Sequence, residues 1–272
     1  MIVNIANYDF PGMWDNTYYF ALSDYPTISD WELRKLILFV DYEKSHGRET
    51  EIICESNEIT QAVNNALANP ASFLSAQKPD IITECTACRQ KGCLADYLCH
   101  TASIENAKSI FRCGKLLSAV KARNKTREEL AEEPRNAAKD PPDYFDYIMM
   151  AWGNCQAGDR LVMERLLCRF PDEYDLSVDF KPGVRFYFKY TVLENHRDFT
   201  NDGMHPAKIK NELLLSDYLY CCIIPENNRS EFENIIPPYL VNRIFYIEND
   251  CRDIWDWSEK VYNFVLKQKV VL

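Results

Sequence analysis

At 272 residues and 47% hydrophobic content the chain can bury a full core, as one large domain or as a core with a smaller appendage. With 26% charged residues and no low-complexity tract, disordered and fibrous classes are excluded. The net charge of −10 opposes general adhesion to nucleic acid or an anionic membrane. The opening "MIVNIANYDFPGMWDN" lacks a basic region followed by an apolar run, and no stretch reaches the roughly eighteen apolar residues of a membrane span, so a cytoplasmic location is expected. Eleven cysteines, an odd number, argue for free thiols or a metal site rather than a disulfide scaffold.

Along the chain, Ser29 and Glu32 form a capping box, and Leu33, Leu36, Ile37 and Val40 follow at helical spacing toward Gly47. "TEIICES" reads as a strand and "NEITQAVNNALANP" as a second helix ended by Pro70. Residues 1–80 are therefore expected to be a small N-terminal α/β unit, to which no chemistry is assigned. A Cys-rich segment, 81–99, follows. The apolar "YLC" strand then ends at His100, and a helix is expected from Ile104 to Cys113, capped by Ser103 and leaving at Gly114. Thr126 and Glu129 make another capping box. "PPDYFDYIMMAWG" reads as a helix with proline in its first turn, so that 120–170 is expected to be mainly helical. Beyond Pro182 the texture is that of strands: "GVRFYFKY", "ELLLSDYLYCCIIP" with a Ser-Asp turn, and "NRIFYIEN". A last helix carries Ile254, Trp257, Val261 and Phe264 on one face.

Two clusters carry potential chemistry. Cys85, Cys88, Cys93 and Cys99 follow a C-x2-C-x4-C-x5-C pattern with Gly92 in the bend; four thiolates at this spacing suit a tetrahedral zinc, and unligated thiols, or an iron-sulfur cluster or disulfide, are the other readings. His100 would replace Cys99 as a fourth ligand only in its place, since neighbours on a strand point to opposite faces. From Lys108 to Arg127 seven basic residues occur with no acidic residue between them, either a solvated face or a phosphate-facing patch.

In "HTASIENAKSIFRCG", residues 100–114, the strand-ending His100, the helix residues Asn106 and Ile110, and the exit Gly114 resemble the first motif of ADP-ribosyltransferases, particularly the DarT-type enzymes that modify DNA. Thr101 stands beside the histidine, and Ala102 occupies the place of the family's threonine. "GVRFYFKY" resembles the family's V-P-F-Y-F strand with arginine for proline. "KIKNELLLSDYLYCCIIP" resembles the segment that carries its catalytic glutamate, here Glu212. The resemblance implies an α+β fold: an ADP-ribosyltransferase-like split antiparallel β-sheet core over 95–225 with a helical insertion, the N-terminal unit before it, and 226–272 as a strand and helix packed on the core.

The same resemblance implies an NAD-consuming glycosyl transfer. Glu212 would hold the ribose hydroxyls and offset the positive charge of an oxocarbenium-like state. His100, with Thr101 beside it, would hydrogen-bond the adenosine ribose, and Tyr187 or Phe188 would wall the nicotinamide pocket. Arg135, or else Arg123, would engage the pyrophosphate. His205, in a turn marked by Gly203 and Pro206, would reach the acceptor. DarT-type chemistry implies a base of DNA or RNA as acceptor, a role as a toxin or defence effector, and an antitoxin partner. Two other readings stand beside it. An RNA 2′-phosphotransferase-like enzyme would need further arginines around a phosphate, and a non-catalytic zinc-stabilised interaction domain would need no NAD.

Overall fold

The computed structural model describes residues 1–8, 12–14, 16–74, 81–82, 93–94, 96–133 and 141–268, with the backbone alone at Trp14, Ile81, Ile82, Cys93 and Leu94. The fold is mixed α and β with mixed sheets, and it falls into two units. The first holds the described residues of Met1–Ala95 and Asn201–Pro206; the second holds those of Asp96–Asn136, Pro141–Thr200 and Ala207–Leu272.

In the first unit β1 (Ile2–Ala6), β2 (Gly12–Trp14), β3 (Thr17–Ala21), α1 (Asp30–Ser45), β4 (Glu51–Cys54), α2 (Asn57–Ala68) and α3 (Ala71–Leu74) succeed one another, with a short antiparallel pair β5 (Ile81–Ile82) and β6 (Cys93–Leu94). The sheet order is β2-β3-β1-β4, with β3 and β4 both parallel to β1, so the chain crosses over through α1. Alternation in β1 and β3 sends Val3, Ile5, Tyr18 and Phe20 into a core with Leu36, Ile37 and Phe39 of α1 and Ile59 and Val63 of α2. The expected capping box is present, the Ser29 hydroxyl accepting from the Glu32 amide and Glu32 accepting from the Ser29 amide. Gly203 lies so close to α1 that a Cβ there would meet the Lys35 carbonyl at 1.9 Å, and its φ of +75° is itself a glycine conformation.

The second unit starts with β7 (Tyr97–Ala102), α4 (Ile104–Cys113), β8 (Lys115–Leu117), α5 (Ala119–Arg123) and α6 (Arg127–Ala131). It continues through β9 (Tyr147–Trp152), α7 (Ala157–Leu167), β10 (Val184–Lys189), α8 (Tyr190–Leu193), β11 (Phe199–Thr200), β12 (Ala207–Lys210) and β13 (Glu212–Leu214). It closes with α9 (Leu215–Tyr218), β14 (Cys221–Pro225), α10 (Arg229–Phe232), β15 (Ile244–Ile247) and α11 (Ile254–Lys267). Seven strands form one sheet in the order β11-β12-β9-β7-β10-β14-β15, antiparallel except for β14 with β15. β8 and β13 pair separately as a two-stranded ribbon. The helix α4 has the expected limits, with Ser103 capping the Asn106 amide and Gly114 left-handed at its end. Residues 226–272 belong to this unit, and Trp257, Val261 and Val265 of α11 are buried.

One expectation fails. "YIMMAW", read as helical, is β9, and only a short 3₁₀ turn, Pro142–Asp146, precedes it. β9 lies inside the seven-stranded sheet with Ile148 and Met150 buried and the residues between them half-buried, and every one of its six side chains is apolar or aromatic, without alternation in type. Such a run has no period to separate strand from helix. The "ELLLSDYLYCCIIP" stretch is likewise strand, one helical turn at Leu215–Tyr218, then strand, rather than two strands joined by a tight turn.

The sheet's two faces differ. With the β7–β9 register extended by one residue, one row across it reads Ala207, Met150, His100, Phe186, Cys222, Ile244, and every member but the histidine belongs to the hydrophobic core with Phe111 of α4 and Leu116 and Leu213 of the ribbon. The opposite face carries Arg185, wholly buried. Its Nε donates to Asp159 Oδ2 of α7 at 2.7 Å, Nη2 approaches the same oxygen at 2.5 Å and also donates to the Ser258 hydroxyl of α11, and Nη1 donates to the Tyr187 hydroxyl at 3.2 Å. Asp159 Oδ1 accepts from the Gly183 amide at 2.9 Å. α7 comes so near β7 that a Cβ on Gly158 would meet the Thr101 hydroxyl at 2.4 Å, and one on Gly183 would meet the Thr101 methyl at 2.7 Å.

Replacing Arg185 by leucine leaves Asp159 charged and uncompensated in the interior. The loss of unfolding free energy should be ~3–5 kcal/mol, whereas Arg185→Leu combined with Asp159→Leu should recover most of it. Denaturant unfolding of both variants decides the matter; an additive double variant would deny that the two groups act as a pair.

Candidate active site around His100 and Glu212

His100 sits at the point where two central strands part. β7 and β9 are paired at Leu98–Trp152 and Cys99–Ala151, and Gly153 donates to the Tyr97 carbonyl at 2.8 Å. The next rung would use the Met149 carbonyl, and there the ring Nδ1 of His100 takes it, at 3.0 Å. Because a carbonyl only accepts, Nδ1 carries the proton and Nε2 presents a lone pair. Burial lowers the pKa of the ring from its ordinary value, the Met149 carbonyl works the other way, and the nearby Arg165 charge lowers it further. The imidazole is therefore neutral at pH 7, an acceptor suited to a hydroxyl.

Glu212 begins β13, and its neighbour Asn211 is anchored by an amide bond to the Asp146 carbonyl and a carbonyl bond from the Ser118 amide. In the ribbon Glu212 lies opposite Leu117 and Leu214 opposite Lys115, so Lys115 is its diagonal cross-strand neighbour. The Lys115 ammonium donates to Glu212 Oε2 at 2.8 Å. Leu116 and Leu213 point into the core, which turns Lys115 and Glu212 outward; Glu212 keeps 50% of its side-chain exposure. The bond and charge of Lys115, followed by the charges of Lys121 and Arg197, hold its carboxyl below the usual range. Asp146, whose carbonyl accepts from the Asn211 amide, directly precedes β9 and stands four residues ahead of the Met150 across from His100.

The other expected site residues divide. Phe188 is wholly buried on the same face as His100, but in the rung of Leu98, and Phe186 is the aromatic directly opposite the histidine. Tyr187 lies on the reverse face with its hydroxyl on Arg185, so the structure does not bring it to His100. Thr101 also faces that side, against Gly158 and Gly183. Arg123 is paired with Glu133. Arg135 lies outside the described residues. His205 belongs to the first unit, where buried Asp202 accepts from its Nδ1 at 3.2 Å and from its amide at 2.6 Å. Cys85 and Cys88 lie outside the described residues, and Cys93 is described by its backbone alone. Cys99 is buried at the sheet centre, its thiol pushed up to about 12, mainly by burial, which is the setting of a protonated core thiol. Among the described residues no group of three or more His, Cys, Asp or Glu side chains is arranged to hold a metal.

The basic run is largely neutralised. Lys108 pairs with Glu105 and Glu231, Arg123 and Lys125 with Glu133, and Arg127 with Asp146, leaving Arg112 and Lys121 without an ion pair among the described residues. Glu105 is three positions from Lys108, but the other partners lie eight to 123 positions away, outside any local count of charge. Lys115 and Phe186 were the residues that inspection of motifs passed over; strand parity would have pointed to Phe186, while nothing local marks Lys115.

Compared with protein-family models, curated proteins and solved structures, the chain matches none of them. Among the described residues no helix is long and apolar enough to cross a membrane.

With a lowered folded-state pKa, His100 binds fewer protons than the same histidine in the unfolded chain, which titrates near 6.5. Stability should therefore fall as pH drops below that value. The thermal midpoint of the protein should decline more steeply between pH 7.5 and 5.5 than that of His100→Gln; parallel curves would show that the ring is not held neutral.

Proposed function

We propose that the protein is an NAD-dependent ADP-ribosyltransferase. The observation that carries this reading is the pairing of the two resembling strands, "YLCHTA" and "VRFYFK", side by side at the sheet centre with His100 against Phe186, and a carboxylate at a strand start beyond the end of β12. Nε2 of neutral His100 accepts from a hydroxyl of one ribose, and the Glu212 carboxylate accepts from the hydroxyls of the other. In the reaction the bond from the ribose C1′ to the nicotinamide nitrogen breaks and its electron pair leaves with nicotinamide. The acceptor's lone pair closes on C1′ and the acceptor loses a proton. Glu212, ionised, offsets the positive charge on the sugar.

The acceptor class we propose is a nucleic-acid base, in keeping with the DarT-type resemblance, with a toxin or defence role and an antitoxin partner as its consequences. The net charge of −10 leaves any such contact to local cations, of which Lys121 and Arg112 have no ion pair among the described residues. The RNA 2′-phosphotransfer reading is less well supported, since Arg123, Arg127, Arg169, Arg185, Arg229 and Arg252 are all paired with carboxylates.

The test is incubation of the full chain with NAD labelled in the adenylate, together with oligonucleotides and proteins. Label should pass to an oligonucleotide with release of nicotinamide, and Glu212→Gln should slow this by at least ~10²-fold, as the loss of one electrostatic stabiliser does. Activity of Glu212→Gln within a few-fold of the parent would remove the carboxylate from the chemistry. Zinc remains a proposal on the cysteine spacing: about one equivalent per chain should be found by elemental analysis and be lost in Cys88→Ser, whereas less than half an equivalent in the parent would reject the site.

A further inference from the structure

We propose that Lys115 is the positioning residue for Glu212, holding the carboxylate in place at the β8–β13 ribbon in the free protein and yielding it to the ribose hydroxyls when a dinucleotide binds. The inference rests on the NAD reading above and adds to it a residue that no motif contains.

The geometry leaves little else for Lys115 to do. Its strand is three residues long, follows the left-handed Gly114 directly, and is locked by the inward Leu116, wholly buried, so the lysine stem leaves the ribbon at a fixed point. The β8–β13 register sets Lys115 two residues off the rung of Glu212, the diagonal spacing that a long side chain spans. Glu212 is fixed in turn: Leu213 is buried beside it, and Asn211 ahead of it bonds to both Asp146 and Ser118 through its backbone. Two short rigid segments thus present one cation and one anion to each other at 2.8 Å.

Three cations from separate elements face this carboxylate: Lys115 from β8, Lys121 from α5, and Arg197 from the turn ahead of β11. Of these Lys115 alone is hydrogen-bonded to it, and the other two act through space. The same contact raises the Lys115 ammonium above its ordinary range, so neither partner titrates near neutrality. Both ends are partly exposed, with 32% and 50% of side-chain area open, so the pair is screened by water and costs little to exchange for a ligand. An ion pair strong enough to orient a carboxylate, yet weak enough to give it up, is what a ribose-binding group requires before its ligand arrives.

Two measurements on the full chain test this. In the first, the carboxyl carbon of Glu212 is titrated by NMR in glutamate-labelled protein, its signal assigned by loss in Glu212→Gln. Lys115→Met should raise the midpoint and Lys115→Arg should hold it at the parent's value. In the second, the pH dependence of NAD cleavage is followed for the same variants. Lys115→Met should move the acid limb of kcat/KM, which reports the free enzyme, upward and lower kcat/KM at neutral pH by about two- to fivefold, the scale of an exposed ion pair, with Lys115→Arg recovering both.

An unmoved NMR midpoint in Lys115→Met overturns the proposal. So does a moved midpoint with an unmoved pH profile, which would mean that Lys115 charges a carboxylate with no part in cleavage. If the parent does not cleave NAD, the enzyme reading itself falls and takes this one with it; if Glu212→Gln cleaves NAD at the parent's rate, the carboxylate has no part in the chemistry and the role of Lys115 falls with it. If Glu212→Gln is inactive while Lys115→Met matches the parent in both measurements, only the role of Lys115 is lost.

Discussion

A positive charge at the centre of the seven-stranded sheet is the constraint around which the second unit is built. Arg185 has no exposure, and a guanidinium in such a place is tolerable only when its donors meet acceptors. Burial works against its charge, and Asp159 with the Tyr187 hydroxyl maintains it. Meeting those donors fixes the neighbours: Asp159 must come from the first turn of α7, Ser258 from α11, and Tyr187 from the strand of Arg185 itself. Helix α7 is thereby drawn so close to β7 that Gly158 and Gly183 have no room for a Cβ beside Thr101. Arg185 is thus the anchor of two helices on one face.

With one face committed to that network, the other is left to apolar packing, and His100 is the exception within it. Its row of neighbours from Ala207 to Ile244 is otherwise free of polar side chains. The ring survives there because Nδ1 takes over a carbonyl that the parting of β7 from β9 would leave short of a donor. That single bond does two things at once. It satisfies the strand edge, and it fixes the tautomer that leaves the lone pair on Nε2.

Much of this was legible in the sequence where the determinant is local. Capping at Ser29, Ser103 and Thr126 is a matter of three adjacent residues and an orphan amide, and all three helices begin where those caps put them. β9 was not legible, because its burial alternates while its residue types, YIMMAW, do not, and an apolar run without a period fits strand and helix alike. Tyr187 shows a subtler failure. A motif names a strand, but which of two adjacent aromatics faces His100 is decided by a parity of one residue, and Phe186 has it. Which of its two readings the basic run would take was not legible for a third reason, since Glu133, Asp146, Glu212 and Glu231 neutralise it only after the chain has folded.

Sorting the charges by what it would cost to part them separates structure from chemistry. Arg185 and Asp159, both without exposure, make a pair whose breaking strands an ion in the interior at several kcal/mol, so neither can turn to a ligand. Glu43, wholly buried and held bidentately by Arg48 through bonds of 2.7 Å, is fixed for the same reason. Glu212 and Lys115 stand at the other limit, in an exposed contact that water already competes for. A binding group must be held well enough to be ready and loosely enough to change partners. By that criterion the exposed carboxylate at the start of β13 is fitted to meet a sugar, and the more conspicuous buried pair is not.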